Sequence, residues 1–428
     1  MSASRSRAAP RTVGKALAAV ASALVLVVAG VSALVYEQLN GNIKGVPIFG
    51  GGTEKPDAFG RTPINILVIG SDTRSTPEDC RLGGDCGSGP GNADVEMIVH
   101  VAADRSNATV MSVPRDTLTA LPTCKAPGTG GAVPAGPTII NSALAYGPGC
   151  QVAAVHELTG IPIDHFVMVD FSGVVNMSDA IGGVPVCVSN NVYDTYSHLK
   201  LSRGTHTLKG VSTLEFLRTR HGFGDGSDLG RTVAQHVYLA SMIRTLKSAG
   251  TLTEPAALYG LADAATKAVT VDKGLASIPS LLGLATDMNK VPAGRVTFTT
   301  MQTVPDPRDS SRVLVAPAAR KLFDAIIYDR SLSGPGSGRS RADAHDAQGH
   351  TTTRPSGPAG GAGDAGDGGD GGGTSASAAA AITGSRAQNG SARACAQVSA
   401  LDTVAVHGVP MTPAHAYADS PGVPNSAP

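Results

Sequence analysis

The chain has 428 residues, enough for a sizeable core, and its 34 Lys and Arg balance 34 Asp and Glu. A formal net charge of zero, the absence of Trp and the lack of any basic patch interleaved with aromatics argue against nucleic acid as a partner. Glycine is concentrated in one C-terminal block, which predicts one folded domain with flexible flanks.

Residues 1–15 carry Arg5, Arg7, Arg11 and Lys15, and residues 16–35 form an uncharged apolar run long enough to cross a bilayer. The positive charges in front of the run predict a cytoplasmic N-terminus and a chain otherwise outside the cytoplasm, a single-pass cell-membrane protein. Val31-Ser32-Ala33 resembles a small-residue cleavage site, so a cleaved leader is the competing reading. Residues 36–62 are rich in Gly and Pro and read as a spacer.

The folded domain is expected over residues 63–330. Ile64 to Gly70 is a continuous apolar run ending in Gly, the pattern of a buried strand, with Ser71-Asp72-Thr73-Arg74 at its end. Asp94 precedes E-M-I-V-H-V-A, and A-T-V-M-S-V-P follows a polar turn. The pair predicts a hairpin that delivers Pro114-Arg115-Asp116 at its exit. A helix around Val152 to Leu158 comes next, then strands in H-F-V-M-V-D-F and V-P-V-C-V-S. A helix reaching Arg218 and Arg220 follows. A longer one from Leu229 holds Arg231 and Gln235 on one face by their i, i+4 spacing. Helices near Pro255 to Ala268, Ile278 to Met288 and Ala318 to Tyr328 and a strand in R-V-T-F-T-T-M close the domain. Such alternation predicts an α/β fold with a mixed central sheet flanked by helices.

Residues 331–392 turn to Gly, Ser, Ala and Asp and read as a disordered linker, and residues 393–428 as a short tail that docks on the body or on the wall. The six cysteines suit an oxidising compartment. Cys80 with Cys86 and Cys124 with Cys150 bracket local loops and make plausible bridges; the pairing of Cys187 and Cys395 stays open. Zinc is not expected, because no C-x-x-C occurs and the histidines lack ligand spacing.

The chemistry-bearing residues sit where strands and helices end. Taken singly, Asp72 reads as a turn cap, Arg115 as a strand brace and Asp228 as a helix N-cap. Taken together, planar guanidinium groups beside carboxylates suit a polyphosphate and a hard divalent cation. Five blocks carry a resemblance: G-S-D-T-R at Gly70 to Arg74, D-V-E-M-I at Asp94 to Ile98, S-V-P-R-D-T at Ser112 to Thr117, I-N-S-A-L-A-Y-G at Ile140 to Gly147, and R-T-R…D-L-G-R-T-V-A-Q from Arg218 to Gln235. In order and spacing the chain resembles the LytR-CpsA-Psr family over about Pro63 to Asp329.

That resemblance implies a LytR-CpsA-Psr-type fold and a phosphotransferase at the outer membrane face. It would move a glycopolymer from an undecaprenyl-pyrophosphate carrier to the 6-hydroxyl of N-acetylmuramic acid in peptidoglycan, releasing undecaprenyl phosphate. It further implies that Asp72 and Asp94 hold Mg2+ (or Mn2+). Arg115, Arg218, Arg220, Arg231 and Gln235 would cradle the pyrophosphate, with Asp228 orienting an arginine or the metal shell. Asp94 and Asp116 are the candidate general bases. The chain departs from the family pattern at Ala93 and Val95 around Asp94, at Ile139 before Ile140-Asn141, and at Ala234 before Gln235. Two other readings use the same residues: a polyprenyl-pyrophosphate phosphatase, and a non-catalytic, membrane-anchored lipid- or wall-binding regulator.

Overall fold

The computed structural model describes residues 10–73, 77–83, 86, 91–124, 136–248, 255–332 and 387–428. Arg74 and nearly all of the Gly/Ser/Ala-rich stretch expected as a linker lie outside the described residues. A helix, Pro10–Asn42, leads the chain. Its residues Leu17–Asn42 are long and apolar enough to cross a membrane, and the most apolar stretch is not buried against the protein, which among the described residues takes in only Leu39 near the helix end. Exposed leucine and valine on every side need an apolar solvent, which suggests a membrane anchor.

Eight strands build the central sheet: β1 (Lys44–Val46), β2 (Ile64–Ser71), β3 (Ala93–Val101), β4 (Ala108–Ser112), β5 (His165–Val169), β6 (Val269–Asp272), β7 (Val296–Thr300) and β8 (Gln388–Asn389). Their spatial order is β1-β6-β5-β2-β3-β4-β7-β8. β2 runs parallel to β5 and β4 parallel to β7, whereas β3 is antiparallel to both β2 and β4. The sheet is mixed, helices cover both faces, and the C-terminal ends of β2, β4, β5 and β7 share one edge.

Successive side chains of a strand point to opposite faces, and β3 shows what that does here. Ile98 joins Leu67, Met111 and Phe166 in the main core, on the face covered by the helices Pro148–Thr159 and Ala319–Ile327. Met97 and Val101 join Phe298 and Ala240, the latter on the helix Asp228–Ser248 across the other face. A second core forms beside the sheet. There the hairpin of Val184–Val188 and Gly204–Leu208 packs with Phe216, Phe223 and Tyr238.

Two regions read as flanks are tied to the body. In the expected spacer, Lys44–Val46 supplies β1, parallel to β6. Asn42 Nδ2 donates to Asp263 Oδ1 (3.2 Å), and Ile163 N donates to the Gly51 carbonyl (2.6 Å). Three residues on a sheet edge leave too short a pattern to stand out among Gly and Pro. The tail is tied down more heavily. Cys395 is bonded to Cys187, closing the pair the sequence left open, while Cys80–Cys86 and Cys124–Cys150 form the two local bridges. The nearly buried Lys200 donates through Nζ to the carbonyls of Ser420 and Val423 and lies over the Tyr417 ring. Ala396 and Ala427 enter the second core.

Candidate active site

The functional edge is assembled from strand ends. β4 ends at Ser112, and Pro114 keeps the next residues out of the ladder, so Arg115 and Asp116 project past the sheet. Antiparallel β3 starts at the same edge, which places Asp94 beside Arg115, and their side chains form an ion pair. The helix Asp228–Ser248 begins above this edge. Asp228 stands at its N-terminus, where a carboxylate is favoured by the unpaired backbone N–H groups. Arg231, one turn on and 5% exposed, pairs with Asp228 Oδ1 at 2.5 Å and donates to the Asp94 carbonyl oxygen at 3.0 Å.

Arg220 completes the group from the turn after the helix Val211–Arg218. Its guanidinium lies 3.9 Å from Asp116 Oδ2 and 4.0 Å from Asp228 Oδ1, and Arg115 Nε lies 3.7 Å from the same Asp228 oxygen. Arg312, from the strand Asp309–Val315, reaches Asp116 Oδ1 at 3.2 Å. Four guanidinium groups therefore gather around Asp94, Asp116 and Asp228, and Arg312 also pairs with Asp309 at 3.6 Å. The Nε–H groups of Arg115, Arg220 and Arg231 are buried and have no acceptor among the described residues. A buried donor without a partner costs about 1–3 kcal/mol, more when charged, so three at one edge mark a place shaped for an acceptor-rich anion.

Charge states follow from the crowding. Burial works against the Arg115 cation, but Asp94, Asp228 and Asp116 outweigh it and raise its pKa. Burial dominates at Arg231 and lowers its pKa, against the pull of Asp228. Near the cluster Glu96 is fully buried, and burial raises its pKa well above the ordinary value against the opposing pull of the Gln151 side chain.

The candidate residues divide into two groups. Asp94, Arg115, Arg220, Asp228 and Arg231 meet within ion-pair distance, joined by Asp116. Asp72, Arg218 and Gln235 do not enter that network. Asp72 lies at the same edge, since Ser71 pairs with Ala93 between it and Asp94, but its Oδ1 accepts from Asn92 N at 2.5 Å. Arg218 is exposed and stacks on the Phe171 ring, 5.0 Å from its centroid. Gln235 donates to the Leu217 carbonyl at 3.0 Å, satisfying an acceptor left over where a helix ends. Sequence reasoning missed Arg312 and Glu96. The only local signal for Glu96 is an acid inside an otherwise apolar strand.

The loop that carries Arg220 toward Asp228 is held from outside by the tail. Gly224 N donates to the Gln397 carbonyl (2.8 Å), Ser399 N to the Gly222 carbonyl (3.0 Å) and Thr403 Oγ1 to the His221 carbonyl (2.5 Å). Gly226 has φ +76°, and a Cβ there would strike the Thr403 side chain, so the turn needs glycine on two counts.

A mixed α/β sheet thus carries a carboxylate-braced arginine cluster at one edge. Over residues 50–322 the chain matches the LytR_cpsA_psr family, and it belongs to that family. It is 34% identical over 313 residues to the cell wall biosynthesis protein LcpA of Corynebacterium glutamicum, covering 67% of this chain and 59% of that protein. The match to the polyisoprenyl-teichoic acid–peptidoglycan teichoic acid transferase TagU of Bacillus cereus is 28% identical over 192 residues, 45% of this chain and 55% of that protein. The chain thus spans between a half and two-thirds of the length of these relatives. The fold is that of the LytR-Csp2A-Psr enzyme from Actinomyces oris, at a TM-score of 0.51 and 22% identity over 66% of this chain and 95% of that one.

Proposed function

We propose that this chain transfers a glycopolymer from an undecaprenyl-pyrophosphate carrier to the 6-hydroxyl of N-acetylmuramic acid in peptidoglycan, outside the membrane that its N-terminal helix would span. The observation that carries this reading is the set of three buried, unpartnered Nε–H groups on Arg115, Arg220 and Arg231. The family membership and the transferase named among its relatives support it. The acceptor oxygen attacks the phosphorus bearing the polymer, a phosphodiester forms, and the bond to the carrier's second phosphate breaks to release undecaprenyl phosphate. Charge on the phosphoryl oxygens meets the preorganised guanidinium groups, which is most of what catalysis of this kind requires. The acceptor's proton passes to a carboxylate at the rim, Asp94 or Asp116.

Asp72 and Asp94 offer hard oxygen donors from adjacent strand ends. Among the described residues Asp72 Oδ2 has no partner, and no group of three or more His, Cys, Asp or Glu is present. Two carboxylates with substrate phosphates suit a magnesium or manganese ion, which would neutralise phosphate charge when bound.

The test supplies a polyprenyl-pyrophosphate-linked saccharide together with a peptidoglycan fragment. A saccharide–peptidoglycan conjugate is expected. Free phosphorylated saccharide as the sole product would make the chain a pyrophosphatase, and no consumption of donor would leave it a binding protein.

A further inference from the structure

A second concavity lies toward the far end of the helix Asp228–Ser248. Helical rise puts Arg244 about 20 Å along the axis from Arg231, the residue that serves the first site. The cavity, of about 610 Å³, sits between this helix, the Val184–Val188 strand and the tail next to Cys395. Its wall carries Arg244, Lys247 and Arg393, with Thr205 among the other lining residues.

These cations are held differently from those at the first site. Arg244 Nη1 donates to the carbonyls of Gly390 (3.0 Å) and Ala392 (2.9 Å), and Lys247 Nζ to those of Asn289 (3.3 Å) and Val291 (2.5 Å). Carbonyls fix the side chains in place and leave their charge uncancelled. Arg393 is exposed and makes no hydrogen bond or ion pair among the described residues, and none of the three has an acidic partner there. Burial, and then the charge of Arg393, lower the pKa of Arg244, so the two guanidinium groups work against each other as the chain stands. A concave surface lined by one sign of charge concentrates counter-ions.

We propose that this cavity is a holding site for the anionic groups, phosphate or carboxylate, of a wall polysaccharide, separate from the arginine cradle where transfer occurs. The identity of the polymer rests on the proposed function; the binding of an anion does not. A polymer gripped about 20 Å along the helix from Arg231 would be kept near the site while only its end is exchanged. Phosphate would come from a phosphodiester-linked donor chain and carboxylate from the stem peptides of the acceptor.

Titration calorimetry on the full chain in detergent tests the site with three probes: inorganic phosphate, a poly(glycerol phosphate) oligomer and a soluble peptidoglycan fragment with free stem-peptide carboxylates. At least one oligomer is expected to bind more tightly than inorganic phosphate and to weaken as salt is raised. Arg393→Glu and Lys247→Glu, both exposed, should each weaken it about tenfold, the loss of about 1.4 kcal/mol. Turnover of a short carrier-linked saccharide should be unchanged in both variants. Preference for the phosphodiester assigns the site to the donor, and preference for the fragment assigns it to the acceptor. Binding that is indifferent to both substitutions, or no oligomer binding beyond that of phosphate, overturns the proposal. Because binding is read without turnover, a chain that holds an oligomer and transfers nothing would sink the proposed function and leave this site standing.

Discussion

The two ends of one helix treat arginine in opposite ways. At the start of Asp228–Ser248, Arg231 is almost wholly buried and locked to a carboxylate, and neighbouring guanidinium groups crowd in behind it. Toward the finish, Arg244 is partly buried and Lys247 exposed, and both are steadied by carbonyls alone. A carboxylate fixes geometry but cancels field, and a buried cation then depends on it. A carbonyl steadies more loosely and leaves the field intact. The first arrangement suits a reaction that needs atoms placed in advance; the second suits retention of a charged chain.

Removing the buried cation should have the largest effect. Arg231→Ala is expected to cut transfer at least about 10²-fold, the scale of losing a preorganised donor. It should also cost about 3 kcal/mol in a urea melt, because the largely buried Asp228 loses its nearest partner and keeps only Arg115 and Arg220, at 3.7 and 4.0 Å. Unchanged stability would show that Asp228 finds other partners and that the two ends are less different than their contacts indicate. Next comes the staple beside the far-end cavity. Cys187→Ser with Cys395→Ser opens a link between residues 208 apart and should cost about 2–5 kcal/mol, read by thermal melting.

The middle of the helix offers a pH probe. His236 is fully buried, contacts Ser112 Oγ at 2.8 Å, and has its pKa pulled down to about 3 by burial. Its folded value is depressed below the unfolded one of about 6.5, so the unfolded chain takes up a proton first as pH falls. Stability from this group is complete above pH 6.5 and declines by about 1.4 kcal/mol per pH unit down to about pH 3. His236→Gln should flatten that part of the stability profile, and an unchanged slope would refute the assignment. Arg218→Ala should have the smallest effect on stability, about 0.5–1 kcal/mol for an exposed cation over a ring. It isolates an arginine with neither kind of clamp. A loss as large as that for Arg231→Ala would mean that exposure is a poor guide here.

Much of the fold is legible from apolar runs with hard stops. Ile64 to Gly70 ends in glycine, the β3–β4 pair is split by a polar turn, and both lie close to where the sequence places them. The meeting of Asp94 and Arg115 follows from strand polarity, because antiparallel β3 begins at the edge where β4 finishes. What the sequence conceals depends on distance and on single residues. Arg312 lies on a strand with exposed neighbours and looks like any surface arginine until Asp116 is seen beside it. The i, i+4 spacing of Arg231 and Gln235 correctly puts them on one face, yet Gln235 is claimed by a leftover helix carbonyl. No local pattern could join Cys187 to Cys395.

Between the end of the leading helix at Asn42 and the first sheet strand at Lys44 stands a single residue, Ile43. The body therefore has no hinge of any length on which to swing, and Asn40 and Asn42 brace the junction against the helices Ile278–Lys290 and Pro255–Ala268. If that leading helix is moored in lipid, the height of the arginine cradle above the bilayer is a constant of the architecture. A pyrophosphate headgroup would meet it at one depth, and all the slack needed to find an acceptor in the wall would have to reside in the cargo.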